Sequence, residues 1–366
     1  MKILIPMAAF GTAGGARVLS QLANAWIDAG HEVDMLVPRT AGHPYFPTKA
    51  RILRTDIRGA VEVKAEPEGP ERPGLHNNFA LRAGLARIGG RYDVVLANHN
   101  LTAWAVALAS VPRHARFYYI QAYEPTFCID PFAPGRYALA RLSYNLPLTQ
   151  IVNAPSYPGL EDRPVISCGI DLSVFHRRED PVRFRQDTPI VLGTIGRTEP
   201  WKGTRYVLEA FEQLHARDPR YRLRVAFGNL PEGWSHSAAD VVMPRGDAEL
   251  AAFYRSLDIM VAGTYGLNDS PHYPVLEAMA SGVPAVSTGY RPADESNSWL
   301  YPARDTAELV NVIAGIEHDP DLHEKIDRAR TAAEAFGWPV VAKAMERQFS
   351  DTLQRYGRHL NQEARS

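Results

Sequence analysis

Short apolar runs alternate with stretches whose apolar residues recur at helical spacing, and the alternation starts at the first residues. Lys2–Pro6 reads as a buried strand and residues 7–15 as a small, glycine-rich loop. Residues 16–29 read as a helix with Val18, Leu19, Leu22, Ala25 and Trp26 along one face. Gly30 stops that helix, since glycine takes a positive φ at little cost just past a helix end. Residues 33–37 form the next strand, closed by Pro38. Strand, helix, strand in this order is a βαβ unit with a parallel sheet. The pattern recurs with strands at 92–97, 116–120 and 150–153 and a small-residue helix at 101–109. A second series begins near residue 189, with strands at 190–195, 222–227, 259–262 and 285–288. Its helices fall at 205–217, 248–256 and 274–281. Residues 64–76 are polar and proline-rich, a surface loop. The stretch 168–188, with Gly169, Pro181 and many charges, reads as the connection between two Rossmann-like α/β halves. A last helix, about 340–356, has no strand after it.

Composition narrows what such a chain does. Its 366 residues fit two domains. With 40 basic and 41 acidic residues the net charge is −1, which argues against a dedicated nucleic-acid binder. Two cysteines, Cys128 and Cys168, make neither a disulfide framework nor a four-thiolate zinc site, and they fit a reducing cytosol. No apolar run reaches the ~18 residues of a spanning helix. The N-terminal run breaks at Pro6, too early for a signal peptide. A cytoplasmic protein is expected.

Ligands of open parallel sheets bind beyond the carboxyl ends of the strands, and four segments converge there. Gly11 to Gly15 follows the first strand; its glycines let backbone approach an anion at a helix start. It lacks the Gly-x-Gly-x-x-Gly spacing and no acid ends the second strand, which argues against NAD(H). Arg39 leaves NADP open. His99 lies just past the apolar strand 92–97. Arg197 and Lys202 follow the first strand of the second half. Arginine has a planar donor fork suited to phosphate oxygens and lysine adds a point charge, so the pair suits a departing diphosphate. Last, Asp269 to Pro284 opens a helix with Tyr273, Pro274 and Val275 and ends it at Gly282. Glu277 sits one turn in, placed to accept from sugar hydroxyls. The obvious Asp-x-Asp, Asp319-Pro320-Asp321, is far in sequence from these segments and reads as a solvated turn. His99 and His272 are not spaced as a zinc pair, and no metal is expected.

Asp269 to Pro284 resembles the Glu-x₇-Glu motif and following Ala-Met-Ala-x-Gly-x-Pro of the retaining glycosyltransferases of family 4. Gly196-Arg197…Lys202-Gly203, His99, Gly14-Gly15, and Cys168-Gly169-Ile170-Asp171…Phe175 are similar to other parts of that family, as is Asn297 to Asp305. The resemblance implies the α/β GT-B fold, two Rossmann-like domains facing each other across a cleft. Residues 1–170 would be the acceptor domain and 171–345 the nucleotide-sugar domain, with a helix at about 346–366 packing back on the first. By position, Arg197 and Lys202 would bind the donor diphosphate, Glu277 the ribose, Asp269 the donor sugar, and His99 the sugar near its reacting carbon. Gly14 and Gly15 would approach the phosphate or the acceptor, and Arg245 and Gly246 the base. Tyr273, Pro274 and Val275 would border the donor. Asp269 departs from the family's Glu by one methylene. Residues 270–277 and 121–125 resemble a bacterial subgroup that includes rhamnosyltransferases using dTDP-rhamnose.

The implied reaction is retaining, metal-independent transfer of a hexosyl or deoxyhexosyl group from a dTDP-, UDP- or GDP-linked donor. The acceptor would be a glycan, a lipid-linked molecule or a small molecule, and no other cofactor is expected. Closure of the two domains would exclude water, and a donor phosphate oxygen would assist same-face attack, so no protein nucleophile is named. Residues 79–91 and 136–144 interleave arginines with apolar residues; either could lie on the inner face of an anionic membrane. The competing readings are a non-catalytic nucleotide-sugar-binding partner subunit and a GT-B epimerase.

Overall fold

A computed structural model describes residues 1–11, 14–64, 66–69, 74–128, 133–182, 184–266 and 269–363. Thr12 and Ala13 of the first glycine-rich loop lie outside the described residues. The chain divides into two compact units, Met1–Gly169 with Trp338–Ser366, and Ile170–Gly337.

The first unit carries β1 (Lys2–Pro6), β2 (Glu32–Pro38), β3 (Arg51–Thr55), β4 (Val61–Val63), β5 (Val94–Ala97), β6 (Arg116–Ile120) and β7 (Thr149–Val152). They form one sheet in the order β4-β3-β2-β1-β5-β6-β7, parallel except for β4 on β3. α1 (Gly14–Asp28), α2 (Gly74–Ile88), α3 (Asn100–Leu108) and α4 (Ala133–Ser143) link its strands. Every residue of β5 is buried, as expected of a central parallel strand covered on both faces. β3 and β4 escape the sequence reading because Arg51 and Arg54 interrupt the apolar run. Arg54 is nonetheless fully buried. Its guanidinium donates to the carbonyls of Lys64, Pro38, Arg39, Ala41 and Gly42, so backbone acceptors hold this buried cation, and the charges of Glu66 and Glu68 favour it further.

The second unit carries β8 (Ile190–Ile195), β9 (Tyr221–Ala226), β10 (Ala239–Val242), β11 (Ile259–Ala262), β12 (Ala285–Ser287) and β13 (Trp299–Leu300). Their order is β10-β9-β8-β11-β12-β13, all parallel. α5 (Thr204–Arg217), α6 (Gly246–Arg255), α7 (Tyr273–Ala280), α8 (Thr306–Ile316) and α9 (Leu322–Glu334) complete it. The sheet order reverses between β8 and β11, which puts a topological switch point at their carboxyl ends. α10 (Trp338–Glu363) returns to the first unit. It starts two residues earlier than the sequence periodicity indicates. The Trp26 indole donates to Ala342 carbonyl oxygen at 3.1 Å, and Phe349 packs on the rings of Trp26 and Phe117. At the unit boundary a Cβ on Gly169 would stand 2.5 Å from the Trp338 ring, so the close approach demands glycine. Among the described residues, no helix is long and apolar enough to cross a membrane.

Candidate active site

The two loops leaving the switch point of the second unit are locked together at backbone level. β8 runs into Gly196 and Arg197, a single helical turn follows at Pro200–Lys202, and Gly203 opens α5 with φ +67°. β11 runs into Gly263 and Thr264. A Cβ on Gly203 would lie 2.0 Å from Gly263 carbonyl oxygen, so neither loop can thicken. Tyr265 N–H donates to Trp201 carbonyl oxygen at 2.9 Å, and Thr264 Oγ1 lies 3.4 Å from that of Lys202. Arg197 is tied to the start of α5 through Thr204, whose hydroxyl accepts from its N–H at 3.0 Å and donates to its carbonyl at 2.8 Å.

These contacts gather Arg197, Lys202 and His272 into one positively biased corner. Burial, then the Arg197 charge, lowers the Lys202 ammonium from its ordinary value. Burial pushes the His272 imidazole down to about 3, with further repulsion from Lys202 and then Arg197. His272 is therefore neutral at ordinary pH, and its Nε2 lies 3.1 Å from Thr264 Oγ1. Arg197 is about half exposed, and its fork makes a two-point contact with Glu199 at 3.2 and 2.8 Å. That contact holds the Glu199 carboxyl below the usual range.

Helix starts in this unit divide into two kinds. α6 is tied by Glu249, whose carboxylate accepts from the Arg245 N–H at 2.8 Å, and α8 by Asp305, which accepts from the Glu308 N–H at 2.9 Å. α5 and α7 have no side-chain cap and no acid in the first turn. The positive ends of their dipoles and the two cations can meet an anion of two or more charges.

The remaining sequence candidates of this unit lie on α7, in the loop before it, and at the start of α6. Asp269 is exposed, with φ +55°. Tyr273 and Pro274 are half-buried and Val275 is buried in the first turn of α7. Glu277 is buried at 2% exposure, and its Oε2 accepts from the Tyr254 hydroxyl at 2.8 Å. Arg245 is exposed at the start of α6, beside Gly246 at φ +76°. Asp319 differs from the sequence reading. Its carboxylate is engaged by the Trp299 indole N–H at 2.8 Å and by Lys325 at 3.1 Å, so it is a structural anchor rather than a solvated turn.

In the first unit, His99 ends the loop after β5 and precedes α3. Its side chain is about half exposed, its Nδ1 accepts from the Leu101 N–H at 3.2 Å, and its Nε2 lies 3.4 Å from Glu124 Oε2. Gly14 and Gly15 open α1; a Cβ on Gly15 would press on the Gln121 carboxamide at 3.2 Å. Arg39, which leaves NADP open in the sequence, is taken up by Glu62 at 2.7 Å, Glu68 at 3.5 Å and Asp56 at 3.8 Å. The sequence assigns no role to Thr264, Tyr254 or Glu199, and Glu124 enters only as part of a motif. Their partners lie too far along the chain, or their contacts depend too much on loop geometry, for spacing to reveal them.

Residues 12–120 match the model "Glycosyltransferase Family 4" and residues 189–319 match "Glycosyl transferases group 1". The chain is 25% identical to the D-inositol 3-phosphate glycosyltransferase of Kribbella flavida, over 91% of this chain and 89% of that protein. It is 24% identical to that of Stackebrandtia nassauensis, over 94% and 88%. Among solved structures, sucrose-phosphate synthase from Thermosynechococcus elongatus shares the fold at TM-score 0.71 and 20% identity, covering 97% of this chain and all of that one. HepE of Anabaena, in complex with UDP and glucose, does so at TM-score 0.67 and 16% identity, covering 96% and all of it. The chain is a GT-B glycosyltransferase of family 4, which moves a sugar from a nucleotide-sugar donor.

Proposed function

We propose that the donor diphosphate binds where the open starts of α5 and α7 meet Arg197 and Lys202, and that this corner stabilises the charge left when the sugar departs. The observation that carries the reading is the neutral, buried His272 between two cations and two uncapped helix starts. An anion there relieves the repulsion that lowers Lys202 and displaces Glu199 from the Arg197 fork. Lys202 and Arg197 then do what a divalent cation does in other transferases, so turnover is expected to survive EDTA.

In this reading Glu277 accepts from the ribose, the Arg245-Gly246 segment borders the base, and Tyr273, Pro274 and Val275 line the phosphates. Asp269 touches the donor sugar and His99 the sugar near its reacting carbon. Gly14 and Gly15 lie by the phosphate or the acceptor. The family's outcome is retention at the anomeric carbon. The donor is a UDP-, dTDP- or GDP-linked hexose or deoxyhexose; the HepE complex with UDP supports the first, and the rhamnosyltransferase-like residues 270–277 support the second. The named relatives support a small phosphorylated polyol as one acceptor. Exposed Tyr137, Leu139 and Leu142 on α4, beside Arg136 and Arg141, support a lipid-linked acceptor met at the cytoplasmic face of a membrane.

The test is thermal unfolding with UDP, dTDP, GDP, ADP and NADP⁺ at equal concentrations. A ligand at ~100 times its Kd adds about 2.7 kcal/mol. Stabilisation by one nucleoside diphosphate, lost in Arg197→Ala and Lys202→Ala, is expected. No shift with any diphosphate, or a shift with NADP⁺ alone, overturns the assignment.

A further inference from the structure

Glu124 holds more donors than a helix anchor needs. Only 9% of it is exposed. Its Oε1 accepts from the Tyr118 hydroxyl at 2.6 Å, and its carboxylate accepts from the Asn100 N–H at 2.9 Å and from the Asn100 carboxamide. Its own N–H donates to the Tyr144 hydroxyl at 3.0 Å. Those contacts fix the carboxylate at the start of α3, where a negative charge is stabilised by the helix dipole. They also aim Oε2 at His99 Nε2, 3.4 Å away.

The contact at the other imidazole nitrogen favours the same tautomer. His99 Nδ1 accepts from the Leu101 N–H, so in the neutral ring the proton sits on Nε2 and points toward Glu124. Both ring nitrogens are then engaged, Nδ1 by the Leu101 N–H and Nε2 by Glu124, and the half-exposed ring presents its C–H edge and its faces. We infer that Glu124 is a positioning residue for His99: it sets the Nε2–H tautomer and the ring plane in which His99 meets the transferred sugar. The inference rests on the assignment of His99 to that sugar. Glu124 itself is too buried, and too fully engaged, to meet substrate.

The test uses the full chain labelled with ¹⁵N-histidine, with the His99 signals identified by their loss in His99→Asn. The Nε2–H form is expected to dominate in the unaltered protein and to give way to a mixture in Glu124→Gln. Turnover, read as UDP release from UDP-glucose, is expected to fall about ten- to a hundredfold in Glu124→Gln with KM little changed. If Glu124→Gln fails to fold, Tyr118→Phe removes one donor to the carboxylate and is expected to give a smaller change of the same signals. A folded Glu124→Gln (or, failing that, Tyr118→Phe) with unchanged His99 signals overturns the inference, and the tautomer readout needs no donor. Unchanged turnover in His99→Asn would instead overturn the role of His99. Loss of turnover in His99→Asn but not in Glu124→Gln would spare His99 and remove Glu124.

Discussion

α3 and α7 both begin just beyond the carboxyl end of a central strand, yet their first turns are completed in opposite ways. At α3 the protein supplies its own anion. Glu124 accepts from the Asn100 N–H, His99 from that of Leu101, and the Thr102 hydroxyl from that of His99. At α7 the preceding His272 gives no side-chain cap, Pro274 removes one N–H, and the charges felt by His272 are the cations Lys202 and Arg197. The same helix-start electrostatics are therefore met by a structural anchor in one unit and by no side-chain cap in the other. Glu199 only partly offsets the repulsion between Arg197 and Lys202, and what remains is what a diphosphate would relieve.

The largest effect expected from this contrast is on acid stability. His272 titrates near 6.5 when unfolded and near 3 when folded, so the folded chain binds fewer protons between those values. Stability is untouched above pH 6.5 and falls as pH drops toward 3, by roughly 5 kcal/mol from this group. Urea unfolding followed against pH should show that loss in the second unit, and His272→Asn should flatten it. An unaltered acid limb in His272→Asn would remove the picture of a cation-crowded, neutral imidazole.

Next in size is Arg197→Ala. Loss of one preorganised donor to a developing charge costs about 10²–10³ in turnover. Arg197 is half exposed and its partner Glu199 is local, so the melting temperature should barely move. Unchanged kcat/KM would mean that the open helix starts hold no diphosphate.

The smallest expected effect concerns Glu277, which is buried and held by Tyr254 across 23 residues of sequence. Tyr254→Phe removes a hydrogen bond to a charged group, about 1.5 kcal/mol or tenfold. Calorimetry should find that loss in nucleoside diphosphate affinity and not in turnover at saturation. Equal affinity in Tyr254→Phe would separate Glu277 from the ribose.

Much of this architecture is legible from periodicity, because parallel strands buried on both faces write themselves as apolar runs. β8 is of this kind, and α7 is legible from its bounds, Pro274 and Gly282. β3 is not, since the polar Arg54 occupies a core position that carbonyls on other loops make tolerable. β13 is two residues long and leaves no period to detect. Arg197 and Lys202 stand out in sequence because their chemistry is local to one loop. The pairings of His99 with Glu124 and of Glu277 with Tyr254 join different elements, and no spacing rule encodes them.

The return of the last helix to the first unit has a consequence for synthesis. Residues of the first unit leave the ribosome with Trp26 and Phe117 lacking the helix that covers them. The whole of Ile170–Gly337 must be made before Trp338 and its helix follow. At ~5–20 residues per second that interval lasts on the order of ten to thirty seconds. The second unit, continuous in sequence, has time to fold during it. Until then Trp26 and Phe117 lack their partners on the last helix, while every element of the second unit is already made.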